Sequence, residues 1–170
     1  MPHKKRTIAS ARNFSFVNKT LTLPNRHNGS YLCVAHNGAA AVVPLISKDK
    51  VILIKQFRIA LEKYIWEIPA GTLEKNERPE RCAKRELIEE TGYKAGKMKK
   101  LGEIYPAVGY SDEVLHVFKA TDLTKTKIMR EKDEIIEPKV FTRPQIGRMI
   151  RNGKIRDSKT ISAFAMMGWV

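Results

Sequence analysis

Two apolar runs, Ala39–Ile46 and Val51–Phe57, are rich in Val and Ile and are separated by Ser47-Lys48-Asp49-Lys50. Runs of that length and composition favour strands, and four polar residues fit a hairpin loop. Tyr64–Ile68 predicts a third short strand, stopped by Pro69-Ala70-Gly71. Upstream, Phe14 to His36 reads as short strands broken at Pro24-Asn25 and at the turn signal Asn28-Gly29. Residues 1–12 are basic and read as a frayed end.

Pro79–Thr91 predicts a helix, with Pro79 suited to the first helical position and Gly92 to the stop. Glu80 stands in the first turn, where the helix dipole favours negative charge, whereas Arg78 occupies the cap position usually given to Ser or Thr. Met98–Tyr105, Val114–Ala120 and Ile135–Phe141 follow as strands. Pro144–Asn152, ended by Gly153, and Ser158–Met167, capped by Asp157, follow as helices, with Met166 and Met167 expected in the core. Strands with interspersed helices and no regular βαβ repeat predict an α+β layered domain.

At 170 residues the chain is sized for one domain with room for a small appendage. Lys and Arg number 32 against 18 Asp and Glu, giving a formal charge of +14, which favours anionic partners through long-range attraction. Two cysteines, Cys33 and Cys82, make neither a disulfide framework nor a thiolate metal site, and His3, His27, His36 and His116 show no ligand spacing. Any metal here would be held by oxygen. Cys82 reads as small-residue packing. No apolar run is long enough to span a membrane, and no signal-peptide stretch follows the basic start, so a cytoplasmic chain without membrane contact is expected.

The chemistry concentrates on the helix. Relative to Glu86, Glu90 lies about 40° to one side and Glu89 about 60° to the other, so three carboxylates share one flank. Like charges this close repel. They become useful when a hard cation such as Mg²⁺, Mn²⁺ or Ca²⁺ binds among them. On charge alone, a solvated face paired to Lys84 and Arg85 is the competing reading.

The spacing decides between the two. Gly71, Glu77, Arg85-Glu86-Leu87, Glu89-Glu90 and Gly92-Tyr93 follow the pattern that opens with Gly71 and spans 23 residues. This resembles the Nudix box of the Nudix hydrolase superfamily, with Tyr93 standing where a branched aliphatic residue is usual. The resemblance implies an α/β/α sandwich with a mixed β-sheet and a loop–helix–loop that holds divalent metal and cleaves a diphosphate bond. It implies Glu86 and Glu90 as principal metal ligands, Glu89 as an additional one, and the carbonyl of Ala70 as a backbone ligand. It implies that Arg85 positions these carboxylates and that Glu77 supports the loop. Mg²⁺, with Mn²⁺ as a substitute, is the expected cofactor.

The flanks narrow the family. Gln56-Phe57-Arg58, Trp66-Glu67-Ile68-Pro69-Ala70-Gly71, Tyr105–Glu113 and Ile155–Thr160 resemble the ADP-ribose pyrophosphatase subgroup. The resemblance implies hydrolysis of ADP-ribose or a related nucleoside diphosphate sugar to a nucleoside monophosphate and a sugar phosphate. Arg58 is a candidate contact to the phosphates or the terminal ribose, since its planar fork suits both. Trp66 and Phe57 either stack on the base or pack internally. Glu67 is a candidate contact to a base amino group or ribose hydroxyl, and Thr72 and Gly109 join the candidate substrate-binding set. Glu113 and a later acidic run, Glu131, Asp133 and Glu134, compete for the general base, with Glu134 favoured.

In this subgroup the N-terminal strands commonly form a small sheet that swaps across a homodimer. The implied division is therefore 1–36, a basic tail and β-strand extension, and 37–170, the Nudix hydrolase domain. Two other functions compete with this one. The net charge raises action on RNA 5′ ends, or on dinucleoside polyphosphates, but no RNA-binding segment accompanies it, so a nucleic-acid partner is not expected. A non-catalytic binding module would require loss of the box carboxylates, and all are present.

Overall fold

The computed structural model describes residues 4–127 and 135–170. In chain order it contains β1 (Lys4–Ser10), β2 (Phe14–Thr22), β3 (Asn28–His36), β4 (Ala39–Ser47), β5 (Lys50–Arg58), β6 (Lys63–Glu67), β7 (Ala70–Thr72), α1 (Pro79–Thr91), β8 (Tyr93–Ile104), β9 (Leu115–Lys125), β10 (Ile136–Thr142), α2 (Arg143–Arg151) and α3 (Ser158–Met166). The second sheet runs β10-β5-β4-β9-β8, with β6 paired to β5 and β7 to β4. In this sheet β4 and β9 pair in parallel and the other described ladders are antiparallel, so the sheet is mixed.

The two-residue period of β4 divides the core. Ala39, Ala41, Val43 and Leu45 point to one face, where they meet Ile146 and Met149 of α2 and Ala163 and Phe164 of α3. Ala40 and Val42 point to the other, where Cys82, Ala83 and Leu87 of α1 pack with Phe118 and Ala120. Each face of the sheet thus carries its own helical layer, as the α/β/α sandwich requires. Met167 packs against the first cluster, but Met166 is exposed at the surface rather than in the core.

β1, β2 and β3 form a separate antiparallel sheet. The basic start is not frayed: Lys4 to Ser10 pair with Thr20 to Ser15. Asn28-Gly29 begins β3 rather than making the turn, because Leu23 N–H donates to the His27 carbonyl and closes the loop around Arg26, which takes φ +67°. Backbone hydrogen bonds tie β3 of this sheet to the segment that precedes β9. Val34 N–H donates to the Tyr110 carbonyl at 2.7 Å, and Asp112 N–H donates to the Val34 carbonyl at 3.2 Å.

Candidate active site

α1 begins with Pro79 at its first turn, and it stops where Gly92 takes φ +71° and donates to the Ile88 carbonyl. Its apolar side is fixed on the sheet by Cys82, Ala83 and Leu87. That contact turns Glu86 and Glu90 toward β7. Both are buried. Ala70 N–H donates to Glu90 Oε2 at 3.0 Å. Glu86 lies against Gly71 so closely that a Cβ there would stand 1.8 Å from Oε1.

Arg85 organises the acidic groups. Its Nε and Nη2 donate to Glu77 at 3.1 and 3.0 Å, and Nη1 donates to Glu86 at 2.6 Å and Glu89 at 3.1 Å. Nη2 also reaches the Thr72 carbonyl at 3.2 Å, which binds the helix to β7. The hydrogen bonds from Arg85 hold the Glu77 carboxyl below its ordinary value, and Glu77 in return holds the guanidinium charged. Cys82 fills space beneath this hub: its thiol donates toward the Gly71 carbonyl at 3.5 Å, and burial pushes its pKa up to about 12. It is thus an inert packing residue, not a nucleophile.

Glu86, Glu89 and Glu90 line a cavity of about 700 Å³. On its β5 side stand Gln56 and Arg58. Arg58 Nε and Nη2 donate to Glu67 Oε1 and Oε2 at 2.8 and 2.7 Å. Burial opposes the Arg58 charge, but the bonds to Glu67 outweigh it and raise the guanidinium pKa. Glu67 is fully buried and also accepts from Lys159. Lys159 donates to Asp157 at 3.0 Å, while the other Asp157 oxygen caps α3 by accepting from Thr160 N–H at 3.0 Å. Gln56 is buried, and its Oε1 has no hydrogen-bond partner among the described residues.

Of the residues singled out from the sequence, Ala70, Thr72, Arg58, Arg85, Glu86, Glu89, Glu90 and Glu113 line this one cavity. Glu67 lies behind it and acts on it through Arg58. Trp66 and Gly109 do not line it. Trp66 packs edge-on against Phe141 with ring centroids 4.9 Å apart, and Gly109 sits in an exposed turn. Phe57 likewise packs against Tyr64 at 5.3 Å. Glu131, Asp133 and Glu134 lie outside the described residues.

Sequence reasoning missed several residues that also line the cavity, chiefly Lys159, Asp157, His36 and, from the β1–β2 turn, Arg12. The signals available were the helix cap Asp157 and the Ile155–Thr160 segment that contains Lys159. His36 accepts from Gly38 N–H through Nδ1 at 3.1 Å, and the same nitrogen lies 3.9 Å from Glu113 Oε1.

The donor set suits a hard divalent cation: Glu86, Glu89 and Glu90 with Ala70 line the same cavity, and all can offer oxygen. As the side chains stand, no three acidic, His or Cys residues converge tightly enough to hold an ion, among the described residues. The reason is visible in Arg85, which draws Glu86 and Glu89 to its own Nη1.

A family model described as the NUDIX domain matches residues 35–164. The chain is 39% identical over 161 residues to an ADP-ribose pyrophosphatase of Bacillus subtilis, covering 94% of this chain and 87% of that protein. It is 36% identical over 162 residues to a methanol dehydrogenase activator of Bacillus methanolicus, covering 94% and 88%. A GDP-mannose pyrophosphatase of Citrobacter koseri is 37% identical over 134 residues, covering 74% and 70%. Among solved structures, one titled as an ADP compounds hydrolase superposes with a TM-score of 0.83 at 21% identity, over 98% of this chain and 92% of that one, which establishes likeness of fold. With the glycine–carboxylate–arginine pattern of residues 71–93 folded into one hub and the family model matched over residues 35–164, the chain belongs to the Nudix hydrolase family.

Proposed function

We propose that this protein hydrolyses the diphosphate bond of ADP-ribose or a related nucleoside diphosphate sugar, releasing a nucleoside monophosphate and a sugar phosphate. One observation carries the reading: carboxylates fit for a divalent ion and the Arg58–Lys159 cation pair line the same cavity. A diphosphate needs both, since its negative charge repels a nucleophilic water until it is neutralised. The names of the Bacillus subtilis and Citrobacter koseri relatives support the substrate class.

Glu86, Glu89 and Glu90, with the Ala70 carbonyl, would hold Mg²⁺, or Mn²⁺ in its place. The chemistry supplied by the bound ion is neutralisation of phosphoryl oxygens and a more acidic attacking water. Arg85 screens the mutual repulsion of these carboxylates and orients them. Arg58 presents a fixed guanidinium to the diphosphate, and Thr72 forms part of the same wall. Glu113 lines the cavity and is a general base of suitable reach; Glu134 is the competing one. Turnover of the Glu113→Gln and Glu134→Gln variants separates them: the true base loses most of kcat, and the other retains it.

A panel of nucleotide sugars with Mg²⁺ in oxygen-18 water, read by mass spectrometry, tests the reaction. Labelled monophosphate or sugar phosphate is expected from ADP-ribose ahead of GDP-mannose. Absence of any product across the panel would overturn the reading.

The N-terminal sheet supports a homodimer. Phe14, Phe16 and Leu32 form an exposed apolar patch on one of its faces, with Leu32 68% exposed. A second copy covering this face gives twice the monomer mass by light scattering, and Phe16→Glu with Leu32→Glu returns it to monomer. The same reading places the protein with its nucleotide substrates in the cytoplasm. No described helix is long and apolar enough to cross a membrane.

A further inference from the structure

Glu67 is a completely buried carboxylate that meets two cations, and only one of them, Arg58, belongs to its own sheet. The other, Lys159, comes from the first turn of α3, 92 residues away in the chain. Arg58 commits Nε and Nη2 to Glu67, which leaves the Nη1 edge for whatever enters the cavity. Lys159 is itself held between Glu67 and Asp157, and its side chain is only 14% exposed. It is therefore locked in place rather than waving over the site.

The local charge explains why a second cation is needed. Arg58 and Lys159 balance Glu67 and Asp157, so the cluster is neutral. Without Lys159 the same wall would carry one net negative charge beside a diphosphate. Glu67 would then rely on Arg58 alone, and the guanidinium would be drawn further from the cavity. A buried carboxylate left short of partners takes what charge remains.

We propose that Lys159 is a positioning residue for substrate binding: by sharing Glu67 it frees Arg58 to engage the diphosphate of a nucleoside diphosphate sugar. This makes the entry to α3 part of the active site. The inference rests on the cavity being the diphosphate site, and the test separates the two. The probe is the non-hydrolysable α,β-methylene analogue of ADP-ribose, titrated calorimetrically in Mg²⁺.

Wild type is expected to bind. Lys159→Met is expected to weaken binding about tenfold, because it leaves a charged partner behind. Lys159→Arg should restore it to within about threefold, since the charge returns. In an Arg58→Met background the Lys159→Met loss should be clearly smaller than in wild type, because the part that Lys159 exerts through Arg58 is gone. Melting temperatures of each variant report folding separately. No binding by the folded wild type overturns the site assignment and the proposal with it. Wild-type binding that Lys159→Met leaves unchanged, or losses that add fully in the double variant, overturn the proposal alone. If Lys159→Met fails to fold, Lys159→Gln replaces it under the same criteria.

Discussion

The α-carbon of Gly71 and the carboxyl of Glu86 occupy space that a single methyl group would contest: a Cβ on residue 71 would lie 1.8 Å from Oε1 and 2.2 Å from the carboxyl carbon. The glycine is needed here for close approach rather than for backbone conformation. Gly71→Ala must therefore push Glu86 out of its place while leaving the fold largely intact. A displacement of about 1 Å costs about 100-fold in rate where geometry carries the catalysis. The expected result is a kcat for ADP-ribose reduced to that degree, with a near-native circular dichroism spectrum.

Arg85 stands behind the proposed metal ligands rather than among them. It pairs with Glu77, Glu86 and Glu89 at once, so its loss leaves three carboxylates repelling one another and misdirected. Removing such a supporting partner typically costs about 10–100-fold in metal affinity or activity. Arg85→Met should move the Mg²⁺ activation curve to higher concentration by that factor. A chelator should abolish wild-type turnover, with recovery on adding Mg²⁺ back. An Arg85→Met curve that overlays the wild type would show that Arg85 does not orient the ligands.

Glu77 gives a pH signature of the same hub. Its carboxyl is held below the ordinary 4.5, first by the hydrogen bonds from Arg85 and then by Glu74 N–H. A depressed carboxylate contributes stability that is fully present above the unfolded value and is lost as pH falls through the folded one. Glu77→Gln should therefore lower the melting temperature most above about pH 4.5, with the gap to wild type closing under more acid conditions. Thermal melts of the two proteins between pH 3 and pH 7, about the range that brackets the transition, measure it.

The parts of the molecule legible in the sequence are those whose signals are local. α1 has the predicted bounds because Pro79 and Gly92 punctuate it, and α3 has its cap because Asp157 accepts from Thr160 N–H. β1 was hidden because every residue from Lys4 to Ser10 is exposed, so no apolar alternation marks it. β7 was hidden because it spans only Ala70–Thr72, immediately after a proline that reads as a stop. The box carboxylates could be read because their spacing lies within one helix and its loop. Lys159 could not, because its partner Glu67 is distant in sequence and nothing around residue 159 announces a buried carboxylate. Trp66 stayed open between base stacking and internal packing in the sequence, and in the fold it packs against Phe141.

Asp112 links the N-terminal sheet to the cavity and supplies the remaining test. Its Oδ1 accepts from His36 N–H and its Oδ2 from Lys19, both at 2.9 Å. The next residue, Glu113, lines the cavity, and His36 lines it too. One carboxylate thus fixes β3 against the loop that carries a candidate base. The ion pair with Lys19 is half exposed and contributes at most about 1 kcal/mol, so Lys19→Met should leave kcat within about twofold. Asp112→Ala also strands the His36 N–H and releases the loop, which should cost about tenfold or more in kcat. Steady-state kinetics on both variants decide the matter. Equal losses would assign the effect to charge alone, whereas a loss confined to Asp112→Ala places the N-terminal sheet in the architecture of catalysis.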